Sequence, residues 1–311
     1  TNKTANSPKT KTNSEPVAKD SKVSTPTGKT SKPEKEVIAD YNGYDYKKIF
    51  WEDADRKYED MADRLAIRRL LPNQMDTFVD IAGGYGRLAD EYLDRAKVAT
   101  LFDYSETELT QAHDLYGDKI HTQPGDIYSL PFADDSFDAL MMIRATHHFD
   151  DMQKVSDELY RILKPGGVAV IEVANKKTLP KMFRYWFKKS DVNPFSLEPA
   201  HLRDLNEHGF YNYHPKYIES IFKKSGFKID EVLSVSNFRS AKLKKLFGTK
   251  NLVRMEKSAQ KLLAPIRFAP SIYYKLVNNL PLHSQKRPFR PLLAFSAPAA
   301  APPNKLSSLG E

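Results

Sequence analysis

The sequence contains no cysteine. Disulfides, thiolate nucleophiles and cysteine metal sites are thereby excluded together, and a reducing or redox-indifferent compartment is the simplest setting. Long apolar runs are missing too. None approaches the roughly 20 residues that span a bilayer, and the first residues hold no apolar segment of signal-peptide type. The expectation is a cytoplasmic protein, with peripheral contact at the inner membrane face as its variant. A third scarcity is local. Residues 1–36 are rich in Lys, Ser, Thr and Pro and almost devoid of apolar side chains, too few to offset chain entropy by burial. They are expected to be a disordered tail, as are residues 298–311, with their Pro/Ala/Ser makeup.

What is present supports a folded domain over residues 37–297. Hydrophobic residues make up 40% of the chain, and hydrophobic periodicity alternates between short strands and helices. The leading stretch places Tyr58, Met61, Leu65, Ile67 and Leu71 at helical spacing until Pro72 stops it. Strands are predicted near 77–81, 98–102, 119–123, 137–143 and 168–174, with helices over 86–96, 105–115 and 151–163. A helix over 214–225, a sixth strand at 227–236, a helical insertion over 237–289 and a seventh strand at 290–297 paired with the sixth complete the series. Such alternation predicts an α/β, doubly wound, Rossmann-like sheet of seven strands, its ligands beyond the C-terminal strand ends.

Charge is unevenly divided. The formal net charge is +8, yet residues 38–175 hold 15 Lys and Arg against 27 Asp and Glu, whereas residues 176–290 hold 24 against 8. A basic second half predicts contact with something anionic.

FVDIAGGYGRLA, residues 78–89, reads as a buried strand, a glycine turn and a helix start. Glycines allow positive φ and close backbone approach, and free N–H groups at a helix start favour anionic groups. Read alone, Gly84 to Ala89 also satisfies the dinucleotide pattern G-x-G-x-x-A, with Asp103 at a plausible distance. The loop by itself therefore leaves a nicotinamide cofactor open.

Four motifs, in order, resemble the class I S-adenosylmethionine-dependent methyltransferases, in the broad group that includes quinone-biosynthesis methyltransferases. They are DIAGGYG (80–86), Asp103 within LFDYS, GDIYSLPFADDSFDAL (125–140) and ELYRILKPGGVAVIEVA (158–174). Ala82 stands where the family usually has its first glycine. The resemblance implies S-adenosyl-L-methionine as cofactor. Asp80 with Ala82, Gly83, Gly84 and Gly86 would hold its methionine portion, Asp103 and the adjoining Tyr104 its ribose, and Asp126 with Ile127 its adenine.

After the fourth strand, MMIRATHHFDD brings Arg144, His147 and His148 towards the cofactor edge of the sheet. Arg144 is a candidate cofactor contact or a salt-bridge partner. His147 or His148 is a candidate base or orienting group, with loop packing as the plainer reading. Tyr58 resembles a tyrosine of the family's leading helix that covers the cofactor. Tyr185, Trp186 and Tyr213 are further acceptor-side candidates, from segments (176–213 and 237–289) expected to form the lid. Tyr185 and Lys189 superficially resemble the Tyr/Lys pair of short-chain dehydrogenases. His208 and His214 fall in a loop where a histidine is usually structural. No His/Asp/Glu spacing matches a metal site, so no metal is expected. The expected activity is methyl transfer to a small-molecule or lipid-like acceptor. Anionic membrane ranks ahead of nucleic acid as a partner, and no obligate protein partner is indicated. The competing readings are an NAD(P)-dependent oxidoreductase and a non-catalytic protein of the same fold that binds nucleic acid or membrane through its basic half.

Overall fold

The computed structural model of the protein describes Trp51, residues 56–203 and residues 209–279. Both predicted tails, His208 and the strand predicted at 290–297 lie outside the described residues.

The chain alternates as its periodicity predicts. Helix α1 (Lys57–Leu70) leads into strand β1 (Met75–Ile81), followed by β2 (Ala96–Asp103), α2 (Glu106–Tyr116), β3 (His121–Pro124) and β4 (Phe137–Met142). Next come α3 (Met152–Ile162), β5 (Leu163–Ala174), α4 (Leu179–Trp186), β6 (Ala200–Arg203), β7 (Gly209–Asn212), α5 (Pro215–Ser225), β8 (Phe227–Val235), α6 (Ala241–Leu262) and β9 (Ser271–Asn278). Strands order as β3-β2-β1-β4-β5-β9-β8 in one sheet, while β6 and β7 form a separate hairpin pair. The first five strands of the large sheet pair in parallel, and β9 runs antiparallel to both β5 and β8.

Strand alternation builds a core on each face. Val79, Ile81, Leu140, Met142 and Ile171 pack with Val155 and Leu159 of α3 and Ile218 and Phe222 of α5. Their neighbours Phe78, Ala139, Met141 and Val170 face the other way, against Ala62, Ala66 and Ile67 of α1 and Leu109 of α2. Caps fix the helices in place. The side chains of Ser105 and Asp151 accept hydrogen bonds from the first turns of α2 and α3, and His214 caps α5 through Nδ1 at 3.2 Å from the Lys216 N–H. His214 is thus a capping residue, as the structural reading of that loop histidine anticipates.

Two expectations change. The helix predicted at 86–96 is a run of turns around a short 3-10 helix, Ala89–Glu91, because positive φ at Gly84 and Gly86 starts the segment off the helical path. The strand that pairs with the sixth is Ser271–Asn278, so the described helical insertion ends well before residue 289. SIYYKLVN carries the β-branched and aromatic residues of a strand, and its run is buried nearly throughout, which gives it the look of a buried helix segment when periodicity alone is used.

Candidate active site

At the C-terminal ends of β1, β2 and β4 lies a cleft of about 1050 Å³, open solvent included. Asp80, Ala82, Gly83, Gly84, Asp103, Tyr104, Asp126, Ile127, Arg144 and His148 all line it. Gly86 and His147 do not. Gly86 lies behind the loop, its carbonyl accepting a hydrogen bond from the Tyr116 hydroxyl at 3.0 Å.

The loop shapes the cleft by tight packing. A Cβ at Gly83 would lie 2.4 Å from Leu101 Cδ1 and 2.7 Å from Asp80 Cγ, so no larger residue fits. Gly84 takes φ +57°, and its N–H donates to Asp103 Oδ2 at 2.8 Å. The Gly83 and Gly86 N–H groups are also committed, to the carbonyls of Phe102 (3.3 Å) and Gly83 (3.1 Å). The expectation that these amides await an anionic group is therefore corrected: the loop spends them on itself and offers the cleft its contour.

Four carboxyl groups line the cleft, those of Asp80, Asp103, Asp126 and the buried Glu108. Asp80 is buried, and burial pushes its carboxyl up to about 8, against the opposing pull of the Tyr92 hydroxyl and Arg87. Asp103 is raised by burial as well, although the N–H groups of Ser105 and Gly84 oppose the rise. Asp103 Oδ1 accepts from the Ser105 N–H at 2.9 Å and Oδ2 from the Gly84 N–H at 2.8 Å, and the Tyr104 N–H adds a third backbone bond to the carboxylate. Asp126 stands exposed at the mouth, bonded to the Tyr128 N–H at 2.9 Å. Apolar Phe102 and Ile127, with half-exposed Tyr104, complete a wall suited to a flat ring.

Arg144 also sits at the cleft edge, with φ +61°. Its guanidinium is held from two atoms by Asp63 of α1, at 2.9 and 3.1 Å, while its backbone N–H donates to Glu172 Oε2 at 3.1 Å. The salt-bridge reading of Arg144 is the one found. Asp63 takes a third and a fourth bond from Arg87 Nη2 (3.1 Å) and the Tyr273 hydroxyl (2.7 Å). Burial alone would raise the Asp63 carboxyl, but the charges of Arg144 and Arg87 hold it below its usual range. Arg87 in turn pairs with Asp60 and lies 3.7 Å from the centroid of the Trp51 ring, which closes the cleft on that side.

His147 and His148 occupy a 3-10 turn, Thr146–His148, their rings in contact with centroids 4.1 Å apart and planes tilted by 42°, beside Phe210. His148 faces the cleft, whereas His147 faces a second cavity of about 770 Å³, open solvent included, at the ends of β4 and β5. Arg144 lines both spaces. Burial, then the neighbouring His148 and Arg144, keep His147 well below the usual imidazole range.

Other predicted site residues are placed elsewhere. The Tyr58 hydroxyl is buried, donating to Glu256 Oε2 at 2.7 Å and accepting from the Phe238 N–H at 2.9 Å; it ties α1 to α6 and lines neither cavity. Tyr213 is buried too, with its hydroxyl donating to the Phe149 carbonyl and its backbone bridging the end of β5. Tyr185 and Trp186 lie on α4, outside both cavities, with Trp186 stacked on Phe195. The Tyr185/Lys189 couple consequently has no part in the cleft. Asp63, Arg87, Trp51 and Glu172 are the lining or supporting residues that motif reading misses. Asp63 and Arg87 were visible only as one acid and one base among many, since their pairing spans 24 positions of sequence.

Comparison with known proteins agrees with this geometry. Residues 79–171 match the model of a family described as a methyltransferase domain. The ubiquinone/menaquinone biosynthesis C-methyltransferase UbiE of Cereibacter sphaeroides is 32% identical over 163 residues, covering 50% of this chain and 62% of that one. The demethylmenaquinone methyltransferase of Desulfitobacterium hafniense is 32% identical over 128 residues, 38% of this chain and 50% of that one. This chain thus spans about half to three-fifths of the length of these relatives. A solved S-adenosylmethionine-dependent methyltransferase structure from Listeria monocytogenes shares the fold, with a TM-score of 0.54 and 16% identity over 71% of this chain and 98% of that one. Residues 79–171 thus match a methyltransferase domain, and the shape-fitted glycine loop, the acids that line the cleft and its apolar ring slot fit S-adenosylmethionine as the cofactor of such a domain.

Proposed function

We propose that the protein transfers a methyl group to a small-molecule or lipid-like acceptor lodged in the second cavity. One observation carries the proposal: a cleft fitted to the cofactor abuts a separate cavity, and the adjoining rings of His148 and His147 line one space each. When bound, the cofactor supplies a methyl group on a sulfonium that is already a good leaving group. What remains for the protein is alignment and exclusion of water. Asp103 would hold the ribose hydroxyls, Asp126 and Ile127 the adenine, and Asp80 the cationic amino-acid end. His147, kept unprotonated, can accept a hydrogen bond from an acceptor hydroxyl but retains a proton poorly, so it orients the acceptor. The names of the quinone-pathway relatives favour a quinone-like acceptor.

Calorimetry tests the reading. S-adenosylhomocysteine should bind the wild-type protein and lose at least tenfold in affinity with Asp103→Ala. Binding of NADH without binding of either form of the methyl cofactor would overturn it in favour of the oxidoreductase.

A second reading concerns location. Leu179, Phe183, Trp186 and Phe187 are exposed on and after α4, interleaved with Lys181, Arg184, Lys188 and Lys189. Exposed aromatic side chains among cations suit the interface of an anionic bilayer. Vesicles rich in phosphatidylglycerol should co-float the protein at low salt, and Trp186→Ser should abolish co-flotation; a protein left in the soluble fraction would refute this reading.

A further inference from the structure

The second cavity has a charge pattern that the motifs do not explain. Arg56, Arg144, Lys181 and Arg239 line it, and the one acid in its wall among the described residues is Glu172. That acid is buried and committed to the Arg144 N–H, while Asp63 offsets the Arg144 guanidinium from behind. Lys181 and Arg239 form no salt bridge among the described residues, although the charges of Glu59 and Glu172 act on Arg239 from a distance. Lys181 Nζ meets a neutral group, the Asn175 carbonyl at 3.2 Å. Arg239, on the exposed link between β8 and α6, has no ion-pair partner among the described residues. Burial, followed by the Arg239 charge and then Lys176, lowers the Lys181 ammonium to about 8. Arg239 is likewise lowered, by burial and then Arg144. Like charges gathered at a concave site are unfavourable until an anion arrives.

Resting on the methyltransferase reading, we infer that the acceptor is an organic oxyanion whose acidic group is held by Lys181 and Arg239, with its methyl-accepting atom towards His147. The cavity has a matching apolar side. Phe210 lies 5.5 Å from the His147 ring, centroid to centroid, and offers a face for a planar acceptor body. A guanidinium fork suits carboxylate and phosphate alike, whereas an ammonium contributes a point charge. The shared chemistry is therefore the oxyanion, and the source is left to the choice of probe.

The experiment titrates the full chain, saturated with S-adenosylhomocysteine, with benzoate, phenyl phosphate and the neutral benzamide, following heat or ligand NMR. Benzoate or phenyl phosphate should bind at least tenfold more tightly than benzamide, and the tighter of the two names the acid. Arg239→Gln and Lys181→Gln should each weaken that anion by tenfold or more, while Arg239→Lys restores part of the affinity. S-adenosylhomocysteine affinity should be unchanged in all three variants, which also reports that they fold. Equal binding of all three probes, or anion binding indifferent to both Gln substitutions, overturns the inference. Failure of the wild type to bind S-adenosylhomocysteine instead refutes the methyltransferase reading, and the probe series run without it still reports on the cations.

Discussion

Ala82 is the residue at which this glycine loop departs from the family motif it resembles, and the departure has a measurable cost. Its φ is +53°, a left-handed conformation in which a Cβ is disfavoured by about 1–2 kcal/mol. Glycine would relieve that strain while restoring some unfolded-state freedom. Ala82→Gly is therefore expected to raise unfolding free energy by about 0.5–1 kcal/mol, seen as a shifted urea midpoint with unchanged slope. Asp80 offers a second test. Its carboxyl, raised to about 8, is largely protonated at neutral pH, and a cationic ligand beside it favours the ionised form. Binding of S-adenosylmethionine at pH 7 should release a proton, detectable as a dependence of the calorimetric heat on buffer ionisation enthalpy, and Asp80→Asn should remove the release. The same raised value fixes a sign for stability. The folded state holds this proton above pH 3.8, where the unfolded chain gives it up, so the contribution is lost as pH rises through about 8. Relative to wild type, Asp80→Asn should therefore gain stability steadily between pH 4 and pH 8.

At the scale of elements, α1 and α6 are the pair that holds the site's wall in place. Their junction is polar and buried: the Tyr58 hydroxyl bonds Glu256, whose carboxylate also accepts from the Ser236 and Asn237 N–H groups. Tyr58→Phe should cost about 1–2 kcal/mol through one lost buried hydrogen bond and lower the melting temperature, with cofactor affinity unaltered. An affinity loss of tenfold would return Tyr58 to the cofactor cover that its resemblance implied. Elements also show what a single sequence makes readable. Strands with regular alternation and helices with clear caps, such as β1 and α3, were legible because the local pattern carries their whole reason for forming. The seventh strand was not, because SIYYKLVN is buried on both faces and its place is set by β5 and β8, partners about 100 and 40 positions away. The cleft acids were legible for the complementary reason. Asp80 and Asp103 stand at the ends of β1 and β2 and Asp126 just beyond β3, at fixed motif spacing, whereas the second cavity draws Lys181, Phe210 and Arg239 from three separate segments.

Across the whole molecule, the acidic and basic halves are neutralised partly against each other. Lys244 of α6 pairs with Glu59 of α1 at 2.8 Å across the two halves, whereas Asp63 is neutralised within the acidic half by Arg87 and Arg144, the basic half adding only the Tyr273 hydroxyl. Removing one member of such a buried set strands the others. Asp63→Asn is expected to destabilise the fold by about 3–5 kcal/mol, measured by chemical denaturation, and to disorder the Trp51 side of the cleft as Arg87 loses a partner. The Asp63 carboxyl is held below its usual range, so its stabilising contribution is complete above pH 3.8 and is lost as pH falls through the lower folded value.

Arg144 gives the molecule a property that neither cavity has alone. Because one residue forms part of both walls, and Asp63 and Glu172 fix it from opposite sides, any adjustment made for one occupant is felt by the other. Linkage makes that influence symmetrical: the factor by which bound cofactor alters acceptor affinity is the factor by which bound acceptor alters cofactor affinity. The order in which the two ligands enter would then be a matter of kinetics alone, while the strength of their partnership is set at a single arginine.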